Sequence, residues 1–192
     1  METIIRIIEI FALVTGVAYV VLEILQKNAM WVLGILTGAA CAFSFGVQHV
    51  WASMGLNIYY VVVSFIGLWQ WKKDGAQVGE GEIHIRPLTP KVQYISTLVY
   101  VIGLFPIFYI LKASGDPAPL LDAASTLLSV IATWWLAKSY LRQWLLWIGA
   151  DLMSTWLCIE TGQWWMAVLY AVYAASAVYG YFHWKKRGKV VS

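Results

Sequence analysis

Trp144, Trp147 and Asp151 stand at helical spacing in an otherwise apolar stretch, so a helix there carries two indoles and a carboxylate along one face. An Asp a third to halfway through a membrane span costs about 2.5 to 3.5 kcal/mol on insertion scales, so Asp151 is expected to face protein or water and not lipid. No Lys or Arg on a neighbouring span is an obvious partner, and a buried carboxylate then needs some other hydrogen-bonding group. Two further faces carry related chemistry. Asn57, Tyr60, Ser64, Gly67 and Trp71 share one side of a helix, and Tyr170, Tyr173, Ala177, Gly180 and Trp184 repeat the pattern later in the chain. Converging Tyr, Trp, Asn and Asp side chains form aromatic walls with a few polar groups, which suits a flat heterocycle joined to a hydroxylated sugar. Each residue also admits a plainer reading. Asn57 serves equally as interhelical glue, while Trp71, Trp184, Trp51 and Trp164 read as anchors at the membrane interface. Tyr60 and Tyr173 fit either role when taken singly.

Catalysis finds little support. His49 and His183 fall at span ends and His84 in a loop, none close to a Ser, Cys or Asp in a triad pattern, and no Gly-rich loop is built to cradle phosphate. Cys41 and Cys158 lie in separate apolar segments without a Cys or His at metal-ligand spacing, so they read as small core residues. The sequence asks for no enzyme activity, metal or cofactor.

The elements that must position these side chains are membrane spans. With 61% hydrophobic and only 12% charged residues, a water-soluble fold is excluded, and the 192 residues make one membrane domain over 1–192. Apolar segments of about the 20 residues that a crossing needs run at Ile4–Leu25, Ala29–Gly46, Val47–Trp71, Val92–Leu111, Leu120–Ala137, Gln143–Ile159 and Trp164–Trp184. The first lacks a basic n-region and is expected to stay as a span. The joint Lys72–Lys91 is rich in Gly, Pro and acids and is expected outside the bilayer, and Gly115–Pro119 is a second break, followed by Asp122 near a helix start. If seven spans alternate, all of the 13 basic residues except Arg6 and Lys112 share one side. The positive-inside rule then puts the C-terminus in the cytoplasm and the N-terminus outside. The net charge of +3 is therefore read as membrane orientation, with lipid and not nucleic acid as the neighbour.

The chain also repeats itself. Laying Lys27–Lys73 on Tyr140–Lys186 without a gap matches Trp31 with Trp144, Trp51 with Trp164, Tyr60 with Tyr173, Gly67 with Gly180, Trp71 with Trp184 and both Lys-Lys endings. Both endings belong in the cytoplasm, so the copies point the same way, and an extra span must restore direction between two three-helix units. The predicted fold is all-α, with seven transmembrane helices in a 3+1+3 order. A repeat over 1–73 and a parallel one over 119–186 are joined by a linking helix over 92–112. Gly34 and Gly38 occupy the places of Trp147 and Asp151, and their spacing is that of close helix packing.

The run Trp31-x-x-Gly34, Leu56-Asn57-x-x-Tyr60 through Gly67 to Trp71, Leu121-Asp122-Ala123, Trp147-x-x-x-Asp151, and Leu169-Tyr170-x-x-Tyr173 through Gly180-Tyr181-Phe182-x-Trp184 resembles the Pnu family of bacterial vitamin transporters. Within it the PnuC type, which carries nicotinamide riboside, is the nearest match, over nearly the whole chain from the second span to the tail. The resemblance implies facilitated diffusion across the bacterial inner membrane by alternating access, a fold related to SWEET sugar transporters, and a homotrimer. It further implies cytoplasmic phosphorylation that traps the nucleoside. It carries Asn57, Tyr60, Trp147, Asp151, Tyr170 and Tyr173 over as substrate contacts, with Gln48 and Trp134, in or near spans, as further candidates. Thiamin or riboflavin as the cargo, and a membrane scaffold whose aromatics only pack, are the alternatives.

Overall fold

The computed structural model describes residues 16–47, 51–79 and 81–191. It is predominantly helical, with seven helices, and the chain divides into two compact units, Met1–Ile83 and His84–Ser192. The first unit holds α1, whose described part spans residues 16–24, then α2 (Ala29–Val47) and α3 (Trp51–Val78). The second holds α4 (Pro90–Ala113), α5 (Pro119–Ala137), α6 (Gln143–Glu160) and α7 (Trp164–Arg187), with two short strands, β1 (His84–Ile85) and β2 (Lys189–Val190). The apolar segments therefore forecast the helices closely, although α3 runs past Trp71 into the expected joint. By length and composition, α4, α5 and α7 are each long and apolar enough to cross a membrane.

Helix starts follow their residues. Thr89 caps α4, its hydroxyl accepting from the Val92 N–H at 3.4 Å, and Pro90 and Pro119 occupy first turns, where no donor is lost. Several stops are left-handed turns. At Gly115 and Gly162 glycine supplies the positive φ, but at Gln26 (φ 50) and Ser139 (φ 59) a side-chain-bearing residue takes it. In both, the next amide reaches back five residues, Lys27 to the Leu22 carbonyl at 2.8 Å and Tyr140 to that of Trp135 at 3.0 Å. Gln26 and Ser139 occupy equivalent places in the sequence repeat, so the two copies share a turn that residue identity alone conceals.

Packing within each unit repeats as well. In the first, Trp31 of α2 lies on Gly67 of α3, where a Cβ would come within 2.5 Å of the indole, and meets Trp71 edge-on with centroids 5.0 Å apart. In the second, Trp144 of α6 lies on Gly180 of α7, where a Cβ would come within 2.6 Å, and meets Trp184 edge-on at 5.4 Å. Trp71 and Trp184 are thus not interfacial anchors. They are 1% and 0% exposed, because each packs edge-on against the indole, Trp31 or Trp144, that lies over a glycine of its own helix, and that contact buries more area between helices than a lipid surface would. Trp164, at 65% exposure, has the accessibility of an anchor, and the side chain of Trp51 lies outside the described residues. Gly34 and Gly38 do serve close packing, abutting Ser64 Oγ and Val61 of α3. Cys158 is buried as expected, but Cys41 is exposed.

α4 buries no residue. It rests on α5 through Gly103 against Leu127 and a hydrogen bond donated by Trp135 Nε1 to Ser96 Oγ at 2.9 Å. The strands, too short to leave a periodic signal, were not anticipated. β1 pairs in parallel with β2, and Arg86 makes a separate bridge to the turn between α5 and α6, donating its N–H to the Ser139 carbonyl at 2.9 Å.

Candidate functional site

The α6 face forecast from spacing is the inward one. Trp144 is 1% and Asp151 6% exposed, with Trp147 half-buried between them. Thr155 Oγ1 donates to the Asp151 backbone carbonyl at 2.7 Å, a local bond that leaves the carboxylate free. No hydrogen bond or ion pair from the described residues reaches that carboxylate. Trp147 Nε1 is sealed from solvent without an acceptor among the described residues. A buried donor in this condition forfeits about 1 to 3 kcal/mol until something pairs with it.

α7 presents Tyr170 and Tyr173, ring edge to ring face with centroids 6.2 Å apart. Both tyrosines lie within electrostatic reach of Asp151. Tyr170 is also within reach of Asp122, whose Oδ1 accepts from Thr126 Oγ1 at 3.2 Å. The second unit therefore brings together Asp151, Tyr170 and Tyr173, with Trp147 one turn before Asp151 on α6 and Asp122 as a further acid within reach of Tyr170. Sequence reasoning placed Asp122 near a helix start and in the Leu121-Asp122-Ala123 run but did not name it as a substrate contact, since the helix dipole is reason enough for an acid there.

Asn57 and Tyr60 are half-buried on α3 in the first unit. Tyr60 packs beside Tyr59 at 5.5 Å and lies within electrostatic reach of Tyr19 of α1, which also feels Glu23. Glu23 is 4% exposed, a buried acid that sequence reasoning passed over because Gln26 and Lys27 follow it closely at a span end. Its i, i+4 relation to Tyr19 was the available signal. Trp134 stands apart from the α6–α7 cluster, 38% exposed on α5 with the Lys138 ammonium 5.2 Å from its ring centroid. Gln48 lies outside the described residues.

The chain as a whole has relatives. The profile of a family described as nicotinamide mononucleotide transporter matches residues 6–186. The nicotinamide riboside transporter PnuC of Haemophilus influenzae is 28% identical over 175 residues, covering 90% of this chain and 76% of that one. The riboflavin/roseoflavin transporter RibM of Streptomyces davaonensis is 23% identical over 163 residues, covering 83% and 75%. Among solved structures, the crystal structure of the vitamin B3 transporter PnuC matches with a TM-score of 0.67 at 25% identity, over 91% of this chain and 79% of the other.

Proposed function

This chain belongs to the nicotinamide mononucleotide transporter family, and from that premise we propose that it carries nicotinamide riboside across a bacterial inner membrane by facilitated diffusion. The observation that carries the substrate is the unpaired state of the α6 face. Nicotinamide riboside joins a positively charged pyridinium to an amide and a hydroxylated sugar. Asp151, buried without a cation among the described residues, supplies the opposite charge. The Trp147 ring offers a π face, worth about 0.5 to 2 kcal/mol to a cation, and its N–H offers a donor to an amide or ribose oxygen. Tyr170 and Tyr173 add aromatic wall and hydroxyls. On α3, Asn57 and Tyr60 are proposed as further contacts, and Gln48 and Trp134 complete the set drawn from the sequence.

The architecture is read as two parallel three-helix repeats joined by α4, with the C-terminus cytoplasmic, and the assembly as a homotrimer. The recurrence of one Trp–Gly–Trp wedge and one left-handed turn in each unit supports the repeat. A riboflavin cargo is the second reading, favoured by the likeness to RibM. It gains nothing from Asp151, because riboflavin is uncharged.

Thermal denaturation of the purified protein with nicotinamide riboside, thiamin and riboflavin decides between these readings. A ligand of the native state stabilises by RT ln(1 + [L]/Kd), about 2.7 kcal/mol at 100 times Kd. Nicotinamide riboside should raise the midpoint most. A rise with riboflavin alone would move the cargo, and none with any of the three would leave a scaffold.

A further inference from the structure

Gln143 opens α6 and is fully buried, at 0% exposure, yet neither its Nε2 nor its Oε1 has a hydrogen-bond partner among the described residues. A donor and an acceptor held out of water in this way oppose folding unless something meets them. Packing does not require an amide at this place. In the sequence repeat Gln143 falls on Met30, which precedes the Trp31 wedge as Gln143 precedes the Trp144 wedge, and Met30 is also 0% exposed. An unbranched apolar side chain of nearly the same length fills that position in the first unit, so the amide of the second unit answers to something other than packing.

Gln143, Trp147 and Asp151 follow one another at four-residue spacing. On an α-helix they lie within an arc of about 80°, with about 6 Å of rise from each to the next. A ring set on Trp147 therefore has the acid one turn to one side and the amide one turn to the other. A nicotinamide ring carries its charged nitrogen and its carboxamide at different corners, and with the nitrogen toward Asp151 the carboxamide turns toward Gln143. A primary carboxamide presents N–H donors and an oxygen acceptor in one plane, so it takes both orphaned atoms of Gln143 in two reciprocal hydrogen bonds. We propose, resting on the transport reading, that Gln143 is a specificity-determining contact that reads the carboxamide of the substrate. Trp147 and Asp151 then recognise a cationic ring, and Gln143 selects the substituent which that ring carries.

Calorimetric titration of the purified full-length protein compares two ribosides of the same charge and sugar, nicotinamide riboside and the riboside of unsubstituted pyridine. Wild type is set against Gln143→Met, which copies Met30. Wild type should bind nicotinamide riboside about tenfold more tightly than the pyridine riboside. Gln143→Met should lose about tenfold on nicotinamide riboside and less than about twofold on the pyridine riboside, so that the preference disappears. Its ligand-free melting temperature should match or exceed that of wild type, because two unpaired polar atoms leave the interior. Wild type that binds both ribosides equally overturns the proposal without any variant and leaves the transport reading standing. Equal losses for the two ribosides in Gln143→Met, or a clear fall in its ligand-free midpoint, also overturn it, by placing Gln143 at the sugar or in the fold. Wild type that binds neither riboside removes the transport reading and the Gln143 contact together.

Discussion

Asp151→Asn keeps the size of the side chain and removes only its charge. Asp151 is 6% exposed, and the described residues offer its carboxylate neither a hydrogen bond nor a cation, so any positive charge on the substrate meets a field that nothing else neutralises. A carboxylate and a pyridinium about 5 Å apart in an effective dielectric near 20 attract by about 3 kcal/mol, which corresponds to roughly 100-fold in affinity. The reduced riboside has the same amide and sugar but no charge. It should lose only the difference between hydrogen bonds to a carboxylate and to an amide, less than about tenfold. Calorimetric titration of wild type and Asp151→Asn with both ligands measures the two losses side by side. The ligand-free variant should melt at the same temperature or higher, since an unpaired buried charge opposes folding. Equal losses for the two ligands, or a clear fall in the ligand-free midpoint, would show that Asp151 supports the fold and does not sense charge.

Trp147→Phe keeps an aromatic face but removes the unpaired N–H, so affinity for nicotinamide riboside should fall about 3- to 10-fold, and Trp147→Ala should abolish measurable binding; wild-type affinity in the alanine variant would place the substrate elsewhere. Gly67→Ala and Gly180→Ala drive a methyl to 2.5 and 2.6 Å from buried indoles and should each cost about 1 to 3 kcal/mol, seen as a lower melting midpoint, while Gly55→Ala, with nothing within 4 Å, should not. A reporter fused at the C-terminus should be active only in the cytoplasm and one at the N-terminus only outside; both on one side would remove the seven-span reading. Uptake into vesicles should follow the substrate gradient alone, and accumulation that requires an imposed pH gradient would turn Asp151 into a proton relay.

Helix faces were legible because periodicity reports which residues turn inward, and the inward residues Ser64, Gly67 and Trp71 of α3, with Ala177, Gly180 and Trp184 of α7, are buried as the spacing required. Which inward residues are structural and which are functional was less legible, because one residue type serves both. Trp71 and Trp147 look alike in the sequence. The first is 1% exposed and meets Trp31 edge-on, whereas the second is half-buried and holds an N–H without an acceptor among the described residues. The difference lies in what sits across the helix interface, where Trp31 finds the bare backbone of Gly67. A missing side chain has no chemistry to notice, so glycine partners are read last although they decide which tryptophan is buried. Asp122 and Glu23 escaped for the opposite reason. Each is a charged residue near a helix end, where solvent or a dipole explains an acid without further cause, and only three-dimensional packing reveals a tyrosine within its field. Tyr170 thereby faces two carboxyls, Asp122 and Asp151, and neutral or anionic vitamins entering that field would gain nothing to offset the desolvation of either acid. On the proposed reading, a site arranged in this way would discriminate by charge before it discriminates by shape.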